Sequence, residues 1–497
     1  MYERGKSDGP IVPTKSPNDA ENSAEEVMEG RGPAKGNAVQ QNASRTQSRK
    51  QGAPSALERV RKAATKDRKQ RFTALFHHVT PDLLRRSFFA LKRGAAAGVD
   101  GVTWSDYRED LEANLSDLHD RLQRRAYRAK PTRRVFIPKA DGRERALGIA
   151  TLEDKIVQRA VAEVLNAVYE VDFLGFSYGF RPGRSQHDAL DALVVGIKRK
   201  KVNWVLDADL HGFFDAINHG WLVQFLEHRI ADRRIIRLVK KWLKAGVLHE
   251  GRKTVGMVGS PQGATMSPLL ANIFLHYVFD LWVEQWRRRY ARGDVIVVRY
   301  ADDIVLGFQY ESDARRFWTE LDNRLSQFGQ KLHPDKTRLL RFGRFASHNA
   351  ALAGERGPGT FDFLGFTHIS DASENGRFQV LRRTSKVRMR ATLKAIRGHL
   401  LRSRHRPIPE QGVWLRQVLQ GYFQYHAVRT NIPRLNALRT QVARAWMHAL
   451  RRRSQRHRIT WSRMRTLDKR WLPAPRVLHP WPEERFFAKT RGRSPVR

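Results

Sequence analysis

Two groups of aspartates at the ends of apolar runs are the residues best placed to do chemistry. Tyr300-Ala301-Asp302-Asp303 stands between Val295-Ile296-Val297-Val298 and Ile304-Val305-Leu306. Runs of this length and β-branched content read as strands, with Ala301-Asp302-Asp303 as a tight turn between them. Such a hairpin lifts two adjacent carboxylates out of a hydrophobic sheet, where they repel and raise each other's pKa. A divalent cation removes that cost, and oxygen ligands of this kind suit Mg²⁺. A solvated Asp-Asp turn would need no ion, so the other motifs must decide.

A second acidic strand supplies the rest. In Val202-Asn203-Trp204-Val205-Leu206-Asp207-Ala208-Asp209, alternation puts Asp207 and Asp209 on the face of Val205. A carboxylate at the end of a buried strand is costly unless paired with a cation. Asp209 brought beside Asp302 and Asp303 would build a three-carboxylate cage for two metal ions about 3.5–4 Å apart, the arrangement used for in-line nucleotidyl transfer.

Three further segments could serve that chemistry. Residues 133–149 read as a β-hairpin with its turn at Ala140-Asp141-Gly142 and with Lys139, Arg143 and Arg145 crowding the tip. Cations so displayed could clamp a triphosphate through charge-assisted contacts, or decorate a solvated edge hairpin. Phe173-Leu174-Gly175-Phe176-Ser177-Tyr178-Gly179-Phe180-Arg181-Pro182-Gly183-Arg184 offers aromatic faces for stacking and arginines for phosphate, or packs as core. Gly259-Ser260-Pro261-Gln262-Gly263 could touch a nucleotide through the Gln262 amide, or simply feed the helix that begins at Ser267-Pro268, with Ser267 as N-cap.

The elements that must hold these residues follow from pattern. Residues 1 to about 55 are polar and aperiodic and read as a disordered leader. Helical patterns follow from Ser55, around residues 107–125, 153–170, 267–290 and 311–328, and a strand and turn at residues 360–366. Residues 381–402 read as one basic helix, with two or three more helices from Trp414 to Arg458. The Pro-rich stretch from Trp471 to Pro482 reads as an extended strap.

Composition narrows the class. At 497 residues the chain can hold two to four domains. It has no cysteine, which excludes disulfides, thiolate zinc sites and cysteine nucleophiles, and fits a reducing cytoplasm. No apolar run approaches the ~20 residues of a membrane span, so no membrane partner is expected. Net charge is +42, and residues 377–497 hold 31 basic against 4 acidic residues, or +27 of it. Such a field implies a polyanion, and the aromatics favour nucleic acid.

In this order the motifs resemble a bacterial group II intron-encoded protein, a reverse transcriptase with maturase activity. The resemblance covers about residues 59–487. It runs through Gly98-Val99-Asp100-Gly101, Ile137-Pro138-Lys139 with Gly142 and Arg145, Ser177-Tyr178-Gly179-Phe180-Arg181-Pro182-Gly183, and Asp209 with Phe213-Phe214-Asp215. It continues through Pro261-Gln262-Gly263, Ser267-Pro268-Leu269-Leu270-Ala271-Asn272, Tyr300-Ala301-Asp302-Asp303, Lys336-Thr337 and Phe363-Leu364-Gly365. Ala146 stands where relatives commonly have proline.

The resemblance implies an α+β right-hand polymerase, with fingers, a palm built on an antiparallel sheet and a helical thumb, followed by an all-α maturase domain. The expected division is a leader to residue 55, an N-terminal fingers extension at 56–130 and fingers and palm at 131–370. Thumb helices at 377–405, the maturase helices at 406–470 and a basic Pro-rich tail at 471–497 follow. Asp209, Asp302 and Asp303, with the Leu210 carbonyl, would hold two Mg²⁺ ions, with Mn²⁺ as a substitute. Lys139, Arg145, Phe214, Gln262 and Lys336 would contact the dNTP, Phe214 by excluding a ribose 2′-OH. Arg451, Arg452 and Arg453 would grip RNA. The implied partners are a group II intron RNA, an RNA template with DNA primer, dNTPs, and a DNA target met as a ribonucleoprotein in the bacterial cytoplasm and nucleoid. With no cysteine and about 15 residues after Pro482, the expected form lacks the H-N-H endonuclease domain. Rival readings are a maturase with a relic polymerase site, a domesticated reverse transcriptase, and a basic RNA-binding protein without catalysis.

Overall fold

The computed structural model describes residues 56–138, 144–249, 252–254, 259, 263–354, 357–453 and 459–490. Its organising sheet grows from the continuous apolar runs. Strands Val295–Tyr300, Asp303–Phe308, Trp204–Asp209 and Arg338–Arg341 pair antiparallel in that spatial order. Alternation sorts their side chains into two cores. Leu206, Ala208, Val295, Val297, Ile304, Leu306 and Phe308 enter one, while Val205, Ile296, Val298, Tyr300 and Val305 enter the other. Helices Leu152–Asp172, Ser267–Leu275 and Glu311–Ser326 fill the first, and helix Gln186–Arg199 with Phe342, Phe361, Phe363 and Phe366 fills the second. Burial on both faces explains why strands Val295–Tyr300 and Asp303–Phe308 lack the polar alternation of a sheet with one wet face.

Two smaller sheets flank this one. Strands Thr132–Pro138 and Glu144–Ile149 form the expected hairpin, extended by Val247–His249 and Arg252–Thr254, with the tip at 139–143 outside the described residues. Strands Thr360–Phe363, Phe366–Ala372 and Phe378–Thr384 form an antiparallel meander. Residues 381–384 are therefore strand, where the sequence pattern suggested helix. Their pairing with Phe366–Ile369 outweighs the helical pattern, and the basic helix starts at Lys386 with Ser385 as its cap.

Beyond it, helices Lys386–Arg402, Ile408–His426, Ile432–Arg451 and Trp461–Trp471 surround a third core that includes Ile396, Leu419, Leu438 and Trp446. The chain then returns to the sheet. His479 bridges Val428, and helix Pro482–Thr490 packs on Gln186–Arg199, where Asp191 accepts from both Arg382 and Arg485 and Phe486 enters the second core. Residues 472–481, within the expected strap, run without helix up to Pro482, where this helix begins. The whole is α+β.

A titration follows from the meander. His368 is fully buried, stacked on Phe361 at 4.9 Å between ring centroids and opposite Arg382 in the ladder. Burial first, and Arg382 second, push its imidazole down to about 3. Between about pH 3 and 6.5 the unfolded chain then binds the extra proton, so stability is full above 6.5 and falls as pH drops. His368→Phe should remove up to about 1.4 kcal/mol of acid destabilisation per pH unit in that window, read from denaturant midpoints at pH 7 and 5. Parallel pH profiles for the two proteins would contradict it.

Candidate active site

The register of the central sheet gathers the carboxylates. Tyr300 pairs with Asp303 across a two-residue turn, Ala301-Asp302, and Asp303 pairs in turn with Asp209 at the end of the neighbouring strand. Asp207 lies one pleat back on the same face, since Leu206 and Ala208 point into the opposite core. Asp303 opens onto the surface, yet protein and acidic neighbours crowd its carboxyl. Loss of hydration, then repulsion from Asp302, Asp209 and Asp207, raise it to about 7 against the pull of Lys336. Asp207 is raised to about 6, chiefly by burial, with Arg338 opposing.

Two cations answer this charge. Lys336 Nζ lies 2.6 Å from Asp209 Oδ2, and Arg338 Nη2 lies 3.1 Å from Asp207 Oδ2. Among the described residues no three acidic or histidine side chains converge as a ready metal cage, and Asp209 is turned to Lys336. The donor chemistry still fits a divalent cation. Register places three carboxylates on neighbouring positions of two adjacent strands and a turn, and their repulsion is only partly relieved by one exposed ammonium.

The turn itself is strained and braced. Ala301 has φ +56°, a left-handed conformation that costs a non-glycine residue about 1–3 kcal/mol and persists only where its surroundings impose it. Gly179 lies against it so closely that a Cβ there would fall 2.4 Å from the Ala301 nitrogen. Beneath the turn lies Arg299, fully buried and bonded to Asp280, Asn272, Ser177 and the Ala301 carbonyl. Sequence reasoning passed over Arg299, and its one signal was a charge interrupting an otherwise apolar strand.

The remaining expected residues are placed as follows. Leu210 is buried and bridges Leu332, just past Asp209. Phe214 is half-buried, edge-on to Phe213 at 5.3 Å, one turn beyond Asp209. Lys139 and Gln262 lie outside the described residues, as does the Arg145 side chain. Gly263, at φ +99°, backs onto the Gly148 carbonyl in strand Glu144–Ile149. Arg451, Arg452 and Arg453 end helix Ile432–Arg451 in the C-terminal bundle. Arg451 donates to the Ile459 carbonyl and Arg453 to those of Arg404 and Arg406, while Arg452 is exposed. Ser267 is the first residue of its helix rather than the cap, which is Met266.

The segment at 173–185 turns inward. Arg181 donates to Glu170 and to the Leu174 and Ser177 carbonyls, and Arg184 to the carbonyls of Gly175 and Ser177. These arginines therefore brace the chain beside the turn instead of reaching phosphate, and of the segment's aromatics only Phe180 is largely exposed. Arg181→Met should cost about 3–5 kcal/mol by stranding Glu170, with no change in the salt dependence of RNA binding. A stable variant with a shallower salt slope would contradict the bracing role.

Residues 137–368 match the family model described as reverse transcriptase (RNA-dependent DNA polymerase). The chain is 36% identical over 238 residues to protein YkfC of Escherichia coli K12, covering 42% of this chain and 62% of that protein. It is 34% identical over 240 residues to the group II intron-encoded protein LtrA of Lactococcus lactis, covering 48% of this chain and 39% of that protein. It is 26% identical over 249 residues to nuclear intron maturase 2, mitochondrial, of Arabidopsis thaliana, covering 41% and 31%. The chain spans less than two thirds of the length of each of these relatives. Asp209, Asp302 and Asp303 all fall within the segment that matches the reverse-transcriptase model.

Proposed function

We propose that the chain is an RNA-directed DNA polymerase and intron maturase that binds a group II intron RNA, assists its splicing and copies RNA into DNA. The observation that carries this is Asp303 paired with Asp209 at the end of a buried sheet, next to Asp302, inside the span similar to reverse transcriptases. Asp209, Asp302 and Asp303, with the Leu210 carbonyl, would hold two Mg²⁺ ions, or Mn²⁺ in their place. Such ions lower the pKa of a primer 3′-OH and neutralise charge on the triphosphate and its leaving group.

The chain's own groups do the positioning. Lys336 sits on Asp209 from the turn that precedes strand Arg338–Arg341, so its ammonium is available to triphosphate oxygens once Asp209 is otherwise engaged. Lys139 and Arg145 on the finger hairpin would clamp the same phosphates, with Gln262 from the adjoining loop. Phe214 would close the ribose side of the pocket and favour dNTPs over rNTPs. The basic C-terminal helices would grip intron RNA, with the DNA primer on its RNA template lying across the palm and a DNA target met as a ribonucleoprotein. No helix among the described residues is long and apolar enough to cross a membrane. The proposed setting is the bacterial cytoplasm, at the nucleoid when DNA is the target.

Primer extension on an RNA template with dNTPs and Mg²⁺ tests the reading. The wild-type protein should synthesise DNA, and Asp302→Ala should fall to background with RNA affinity unchanged. No synthesis by the wild type, with splicing still promoted, would leave a maturase alone. Arg452→Gln should flatten the salt slope of RNA binding by about 1, as expected for one lost phosphate contact. An unaltered slope would remove Arg452 from the RNA interface.

A further inference from the structure

The turn bearing Asp302 and Asp303 has no intrinsic reason to adopt its shape, because Ala301 sits at φ +56° without being glycine. Whatever imposes that shape also aims the two carboxylates. One hold on the turn comes from within its own hairpin. Arg299 Nη1 donates to the Ala301 carbonyl at 3.0 Å and to Asn272 Oδ1 at 3.1 Å. Its Nε and Nη2 donate to the two oxygens of Asp280 at 2.7 and 2.6 Å, and Nη2 also reaches Ser177 Oγ at 2.7 Å. One planar fork thus joins three stretches of chain: the hairpin itself, the helical run that carries Asn272 and Asp280, and the segment at Ser177.

Those stretches are themselves fixed. Asp280 closes the π-helical turn His276–Asp280, a widening that falls on the residue facing Arg299, and such turns recur at functional sites. Asn272 Nδ2 donates to the Gly179 carbonyl at 2.7 Å, which fastens the chain lying against the Ala301 nitrogen. The Tyr178 amide donates to the Arg299 carbonyl and the Arg299 amide to that of Phe176, at 2.8 and 2.9 Å. Ala301 is therefore held from below by a guanidinium and from the side by Gly179, and both holds pass through Asn272.

We infer that Arg299, with Asn272 as its brace, is the positioning residue of this site: it sets the Ala301 peptide and through it the ligand geometry of Asp302 and Asp303. A buried ion pair such as Arg299–Asp280 is poor value as a stabiliser, since an apolar pair of equal volume does as well. An apolar pair cannot hold a carbonyl. Lysine would keep the charge but not the fork, so it cannot serve the carboxylate, the amide, the hydroxyl and the turn carbonyl together. Supporting groups of this kind tune metal ligands from behind. The inference rests on the polymerase reading.

The test compares Arg299→Lys and Asn272→Ala with the wild type. Arg382→Lys serves as a control, because Arg382 makes a similarly buried pair with Asp191 away from the turn. Mn²⁺ affinity of the protein alone, by electron paramagnetic resonance titration, should weaken about 10- to 100-fold in both test variants. Single-turnover incorporation per active site should fall with KM for primer–template unchanged, and the control should match the wild type in both. If Arg299→Lys does not fold, Asn272→Ala decides. Wild-type Mn²⁺ affinity and rate in the test variants, or an equal loss in the control, would overturn the inference. A wild type that extends no primer would instead sink the polymerase reading and this inference with it.

Discussion

Repulsion among carboxylates at one end of a buried sheet is the constraint that the surrounding structure answers. Asp207, Asp209 and Asp303 share a face because strands alternate, and Asp302 joins them because the hairpin has only two turn residues. Burial alone would drive protons onto such a group, and Asp303 and Asp207 both rise well above the ordinary carboxylate range. Lys336 and Arg338 supply partial relief from the adjoining strand and its approach. A fold with no use for concentrated negative charge would have little reason to crowd these carboxylates at one end of a sheet.

The rest of the architecture keeps that end of the sheet rigid. Two hydrophobic cores clamp the strands from opposite faces, so neither hairpin strand can rotate or slip without moving side chains out of one core and into the other. Buried arginines then fix the joints between segments. Arg181 on Glu170, Arg299 on Asp280 and Arg382 on Asp191 tie positions 11, 19 and 191 apart, the first two arginines also bond backbone carbonyls, and Asp191 takes Arg485 as a second partner. The returning tail closes the last joint through Arg485 and Phe486, so the basic C-terminal bundle is fastened to the sheet that carries the carboxylates.

Much of this was legible in the sequence, for physical reasons that differ by residue. The hairpin around Tyr300-Ala301-Asp302-Asp303 announced itself by apolar runs on either side of two charges, and the shared face of Asp207 and Asp209 followed from period-two alternation alone. Direction was harder. Arg181 and Arg184 sit among glycines and aromatics exactly as phosphate-binding arginines would, and only the carbonyls folded around them show that they point inward. Arg299 could not be assigned a role from its neighbours in sequence, because its partners lie 19, 27 and 122 positions away. Residues 381–384 lost their helical reading to a strand partner that local pattern does not reveal. Lys139, Gln262 and the Arg145 side chain fall outside the described residues, so their roles stand as proposed.

The account comes down to whether the carboxylates hold catalytic metal while the protein grips a primer on RNA. Anomalous diffraction from crystals of the protein with primer–template, a dNTP and Mn²⁺ tests this most directly. Two manganese peaks about 3.5–4 Å apart, ligated by Asp209, Asp302 and Asp303 with Lys336 released from Asp209, are the predicted result. Bound nucleic acid and dNTP with no manganese at these three residues would contradict it.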